Sequence, residues 1–275
     1  MKKPAHILRI AFAAATLCTM TATADATSII AIKQGDTVYL GADSKVLIER
    51  DVSISQCKIT KMSDIFLVFS GMPSISAANF NAYDIAENVF AGKGTISERL
   101  TAYDKAVQGK LQAAFEKLRT TDPKYFSRWY TDDVVNRIAM QVLVAGAEKK
   151  GTTLTMLEYR IMSAQNAPVE LKLFRQDIVT KPGSDQPKIL LLGMQDAINE
   201  LRAKKDYFSD FNPVTLINDW IMAEAKAEPA KVSGPVDILR ISPKKIEWVQ
   251  HKEQCPEVDD TPVKASPHTK PAKKK

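Results

Sequence analysis

The residues able to do chemistry are few, and their types narrow the reaction. All three histidines lie outside the body of the chain, His6 near its start and His251 and His268 near its end. A Ser-His-Asp or Cys-His arrangement needs a histidine held by the fold, and a histidine-ligated zinc needs at least one. No Gly-rich phosphate loop of Walker or Rossmann form occurs either, so the expectation is chemistry without metal or cofactor. A hydrolase built from these residues must find its base elsewhere. A free α-amino group serves, because its ordinary pKa of about 7.7 leaves neutral amine at neutral pH. On an N-terminal threonine the hydroxyl nucleophile belongs to the same residue.

Thr27 is where such an amine would be exposed. The chain opens with a cationic stretch carrying Lys2, Lys3 and Arg9, runs through the apolar Ile10–Leu17, and reaches Ala24-Asp25-Ala26, the A-x-A form that signal peptidase cuts after. The apolar run is too short for an ordinary transmembrane helix. Leu17 stands where lipoprotein processing at Cys18 would want a small residue. Residues 1–26 therefore read as a signal peptide, the protein as exported to the periplasm or secreted, and Thr27 as the mature N-terminus.

The elements that must position Thr27 follow from the hydrophobic pattern. Ser28–Lys33 and Thr37–Asp43 read as a hairpin around Gln34-Gly35-Asp36. Strand-rich sequence follows from Ser44 to Lys61, then Ile65–Ser70 closed by Gly71. In places both alternating sets of positions are apolar, which suggests strands covered on both faces. Ile75–Phe90 and Ile96–Leu118 read as amphipathic helices, the second with Leu100, Tyr103, Val107, Leu111, Ala114, Phe115 and Leu118 on one stripe. Strands return at Ile138–Ala145, Thr153–Ser163, Val169–Phe174 and, after a Pro182–Asp185 loop, Ile189–Gly193. Helices at about Gln195–Lys204 and Thr215–Lys226 precede a final strand pair, Val236–Ile241 and Ile246–Val249. Two helical pairs separated by sheet segments fit an α/β (α+β) fold of four layers, α/β/β/α, better than a singly alternating parallel sheet.

The part left after removing residues 1–26 is about 250 residues long, enough for one domain, expected over 27–250. The full chain carries a formal charge of +6, which falls to +4 without Lys2, Lys3, Arg9 and Asp25. Much of the basicity sits in the C-terminal Lys270–Lys275 run. No aromatic residues interleave it, so no nucleic-acid partner is expected, and residues 251–275 read as a Lys/Pro-rich disordered tail. Cys57 and Cys255 remain after the signal peptide, and the sequence leaves open whether they pair.

Thr27-Ser-Ile-Ile-Ala-Ile, Leu40-Gly-Ala-Asp43-Ser-Lys45, Cys57-Lys58-Ile59 and Phe69-Ser-Gly71, in that order, resemble the opening strands of proteasome β-subunits and their bacterial relatives, which are N-terminal nucleophile hydrolases. The resemblance is strong to Gly71 and loose from there to Val249. It implies a threonine endopeptidase or peptide amidase, with Thr27 as nucleophile and its amine as base. Lys58 would supply fixed positive charge, Asp43 would hold Lys58, and Gly71 would offer its N–H to the oxyanion. Val232-Ser233-Gly234 is similar to the family's Ser-Gly, which makes Ser233 a partner for the amine. Val46, Gln56 and Phe69 fall where the family lines its specificity pocket. The substrate would be a peptide or small amide. The family's rings and the two amphipathic helices imply a homo-oligomer, whereas an ATPase partner is not expected outside the cytoplasm.

Two positions depart from the family pattern. Ala230 stands where an aspartate belongs, and Met194 follows Gly193 where a serine belongs. They keep two other readings open: an amidohydrolase acting on a non-peptide amide, and a non-catalytic scaffold with the same fold. Asp43 and Lys58 would equally serve as an ordinary structural ion pair.

Overall fold

The computed structural model of the chain describes residues 27–49, 52–130, 137–148, 151–180, 186–204 and 210–258. The expected signal peptide and the Pro182–Asp185 loop lie outside the described residues. The chain begins as β1 (Ser28–Gln34), in which Ile29 to Ile32 are all fully buried, so the strand is covered on both faces as its sequence suggests. A turn at Gly35 returns it as β2 (Thr37–Ala42). A separate two-stranded ribbon follows, β3 (Lys45–Glu49) with β4 (Val52–Ser55), and then β5 (Thr60–Met62) and β6 (Ile65–Gly71).

The helix expected from Ile75 begins later. β7 (Ser74–Ile75) pairs with β8 (Phe80–Asn81) across a single 3-10 turn, and only α1 (Ala82–Phe90) is helical. Asn81 accounts for the delay: its backbone is extended and its side chain accepts the Tyr83 N–H at 3.0 Å, which caps the helix there. By contrast α2 (Ile96–Thr121) buries the stripe read from the sequence, and Thr95 and Glu98 close its start as a reciprocal capping box. The short α3 (Pro123–Phe126) has no periodicity that a sequence could reveal. There follow β9 (Ile138–Glu148), β10 (Gly151–Ile161), β11 (Leu171–Asp177), β12 (Lys188–Gly193), α4 (Asp196–Lys204), α5 (Pro213–Ala227), β13 (Asp237–Ile241) and β14 (Ile246–Gln250).

Two five-stranded antiparallel sheets carry the body, ordered β12-β1-β2-β13-β14 and β11-β10-β9-β6-β5. Three apolar clusters surround them. Ile29, Ala31 and Leu40 of the first sheet meet Phe66, Val68 and Leu143 of the second. The second sheet's other side, with Leu67 and Val142, packs on Phe90, Tyr103 and Phe115 of α1 and α2. Ile30, Ile32 and Ile238 pack on Ile198 of α4 and on Ile217 and Trp220 of α5. Each such side chain contributes roughly 2 kcal/mol when fully buried, so the pleat of β1 is committed to two different interiors. The result is a mixed α+β body with five α-helices among the described residues.

The C-terminal reading needs correction. Residues 251–258 do not leave the body: Lys252 is buried against Asp237, Trp248 Nε1 donates to Pro256 O at 2.9 Å, and Cys255 is bonded to Cys57 with Cα atoms 5.1 Å apart. A disulfide and a buried ion pair join positions about two hundred residues apart in one case, which composition cannot register. The rest of the expected tail, 259–275, lies outside the described residues.

Candidate active site

Asp43 is the fixed point of the candidate site. It follows β2 directly and is fully buried, and both carboxylate oxygens are occupied. Oδ1 accepts the Ser28 N–H at 2.8 Å and the Lys58 ammonium at 2.7 Å, while Oδ2 accepts the Lys45 N–H at 3.0 Å. The Asp43 N–H in turn donates to Ser28 O at 3.1 Å, so the carboxylate is pinned to the start of β1. Lys58 lies in the irregular segment before β5, 9% exposed, and its Nζ is 3.0 Å from Thr27 Oγ1. The structure thus brings Thr27, Asp43 and Lys58 together.

Their protonation is set by opposed forces. Burial pushes the Lys58 ammonium below the usual lysine range, against the pull of Asp43. Burial likewise pushes the Asp43 carboxyl above the usual carboxylate range, against Lys58 and the two backbone donors. Desolvation disfavours both charges and proximity favours both, so this is a lysine that gives up its proton more readily than a solvated one.

The end of β12 sets the main chain of Thr27. Met194 N–H donates to Thr27 O at 2.9 Å, and Ser28 Oγ donates to Met194 O at 3.4 Å. Met194 therefore serves the site through its backbone, whatever its side chain replaces. In front of Thr27 opens a cleft of about 410 Å³, lined among others by Ser70, Gly71, Trp129, Gln141, Met194 and Asp196. Ile138, Gln141 and Gln195 also line a neighbouring space of about 360 Å³, where Gln141 donates to Glu158 at 2.6 Å.

Gly71 borders the cleft with φ of 82°, and a Cβ there would come within 2.7 Å of Ala139 O, so the position requires glycine. Met72 rather than Gly71 donates to β9, at 3.0 Å to Ala139 O. Alternate residues of an antiparallel ladder face the partner strand, so the Gly71 N–H turns away from β9.

The remaining expected residues are placed differently. Ser233 is tied to the site by its backbone, its carbonyl accepting the Ser44 N–H at 3.0 Å. Phe69 does not line the cleft: it belongs to the apolar cluster under α1, its ring centroid 4.4 Å from that of Tyr83. The strand period explains the correction, since Ile65, Leu67 and Phe69 share one face of β6 and put Ser70 on the other, toward Thr27. Val46 is half-buried on β3 and Gln56 is exposed, and neither lines the cleft. Ser70, Gln141 and Trp129 were not legible as residues of the cleft, because the pairing of β6 with β9 sets Ser70 opposite Gln141 and a 3-10 turn after α3 brings Trp129. Among the described residues Cys57, Asp237 and Cys255 have metal-ligand types within 4.8 Å of one another, but the two sulfurs are bonded to each other.

Among solved structures the chain is similar to the crystal structure of eukaryotic HslV from Trypanosoma brucei, with a TM-score of 0.38 and 15% identity over 78% of this chain and 98% of that one. No protein-family model matches the chain, and no curated protein matches it.

Proposed function

We propose that this protein is an N-terminal threonine hydrolase of the proteasome β-subunit type, a peptidase or peptide amidase on an α/β/β/α sandwich, exported and cleaved after Ala26. The observation that carries the reading is the 3.0 Å approach of the Lys58 ammonium to Thr27 Oγ1, with Asp43 2.7 Å behind it, at the mouth of a cleft.

In the full chain the Thr27 nitrogen is an amide bonded to Ala26 and is not basic. Cleavage makes it an amine beside its own hydroxyl. The hydroxyl proton then passes to that amine as Oγ1 bonds to the substrate carbonyl carbon, and Lys58 favours the negative charge passing through Oγ1. The carbonyl oxygen becomes an oxyanion facing the Gly71 N–H, a donor of a kind whose removal elsewhere costs about 3 kcal/mol. The Thr27 ammonium returns its proton to the departing amine, leaving an ester on Oγ1. Water, deprotonated by the same amine, cleaves the ester and restores the hydroxyl. Ser233 is the proposed hydrogen-bond partner of the amine. No cofactor enters these steps, and self-association is a proposal that light scattering decides.

The test is covalent labelling of the exported protein by a peptide epoxyketone, which needs both the hydroxyl and the free amine of one residue. N-terminal sequencing should give Thr27, and mass spectrometry should find the adduct there. A protein that begins at Thr27 and takes no label is a scaffold. A labelled protein that cleaves acyl amides but no fluorogenic peptide is a non-peptide amidase.

A further inference from the structure

A second buried lysine–aspartate pair abuts the first. Lys252 is 8% exposed and Asp237 is fully buried. The Lys252 ammonium contacts both Asp237 Oδ2 and Ser44 Oγ, and the Lys252 N–H donates to Asp237 Oδ1 at 3.0 Å. Ser44 follows Asp43 directly, and its own hydroxyl donates to Pro235 O. On the other side Cys57, the residue before Lys58, is bonded to Cys255, whose N–H closes one turn onto Lys252 O at 3.0 Å. The segment from His251 to Val258 is thus fastened on both flanks of the site, to Asp43 through Ser44 and to Lys58 through Cys57.

We propose that this C-terminal strap is part of the site: Lys252 is a positioning residue whose ammonium is the second cation near Lys58, and the Cys57–Cys255 bond holds it there. A cation beside a desolvated lysine disfavours that lysine's charged form, so Lys252 helps set the pH range over which Lys58 carries the positive charge that the proposed mechanism uses. Among the described residues the charged groups that act on Lys58 are Asp43 from the end of β2 and Lys252 from the strap, with Asp237 of β13 paired to Lys252. Lys45 of β3 turns away, its Nζ on Pro229 O at 2.7 Å. Lys252 acts with burial to push the Lys58 ammonium down, while Asp43 opposes both. As a source of stability alone a buried ion pair is weak, and an apolar pair of similar volume often does as well. Its effect should therefore be read on Lys58.

This inference deepens the proposed function and depends on it only for its catalytic consequence, since Lys58 can be titrated whether or not Thr27 is a nucleophile. Lysine side-chain NMR of the full chain, with Lys58→Arg to assign the signal, gives the midpoint directly. In Lys252→Met, and in Asp237→Asn with Lys252→Met, which leaves no buried carboxylate unpaired, the Lys58 midpoint should rise by about one pH unit. Lys252→Arg should restore the wild-type value, and reducing the disulfide or replacing both cysteines by serine should move it as Lys252→Met does. The pH profile of Thr27 labelling should shift with it. An unchanged Lys58 midpoint in the folded double variant overturns the role of Lys252. An unchanged midpoint on reduction overturns the role of the disulfide. A shifted midpoint in a protein that never labels at Thr27 supports this inference and removes the proposed function.

Discussion

Gly193 lies against Thr27 so closely that a Cβ at position 193 would stand 2.0 Å from the Thr27 carbonyl oxygen. The same oxygen accepts the Met194 N–H, and Gly193 takes φ of 73°, so the candidate nucleophile is seated on a position that admits no side chain. Gly193→Ala should displace Thr27 from Lys58 and add backbone strain of about 1–3 kcal/mol. Labelling at Thr27 should fall by far more than the lowered Tm explains. A variant that labels at the wild-type rate would show that the contact has no bearing on the site.

In the proposed mechanism Thr27 supplies hydroxyl and amine together. Thr27→Ala should abolish turnover and Thr27→Ser should retain part of it. A protein with one residue left before Thr27 should fold and be inactive, because its nitrogen is then an amide and no longer basic. Equal rates from blocked and free forms would sink the mechanism.

The buried pair gives an asymmetric stability pattern. Asp43→Asn or Lys58→Met alone leaves a buried charge without its partner and should cost about 3–5 kcal/mol, whereas the combined change should cost clearly less than the sum. Urea unfolding of the three variants reads this. An additive result would mean that the two side chains do not stabilise each other.

Position 69 and position 70 should separate fold from site. Phe69→Ala, emptying the cluster under α1, should destabilise by about 3–5 kcal/mol. Ser70→Leu, on the opposite face of β6 and buried at the cleft wall, should lower Tm less than Phe69→Ala does while it crowds the cleft and slows labelling far more. Thermal melts beside labelling rates check both, and the reverse pattern would mean that the cleft lies elsewhere.

Glu224 of α5 is fully buried and accepts the Ile198 N–H of α4 at 2.9 Å. Burial pushes its carboxyl above the usual range, so between the unfolded and folded values the folded state holds the additional proton. That stability is complete below the ordinary carboxylate value and is lost as pH rises through the folded one. Glu224→Gln, neutral throughout, should melt about 3 °C higher than wild type near pH 8 and no higher near pH 4. A gain of equal size at both values would mean that ionisation is not its cause.

Much of this was legible in the sequence because it is local. The sixteen-residue spacing from Thr27 to Asp43 is what a hairpin of β1 and β2 needs to return Asp43 beside Ser28, and the pattern around Gly35 announces that hairpin. The stripe of α2 and its capping box are equally local. Asn81 shows the limit of periodicity: apolar spacing ran through it, but one side-chain oxygen started α1 seven residues later than expected. What the tertiary structure alone decided is which distant segments meet. The pairing of β6 with β9 turns Ser70 rather than Phe69 toward Thr27, β12 lays Gly193 beneath it, and a segment read as tail returns Lys252 and Cys255 to the lysine beside the candidate nucleophile. Such meetings are fixed by sheet register and burial summed over the whole chain, so no single stretch of sequence carries them.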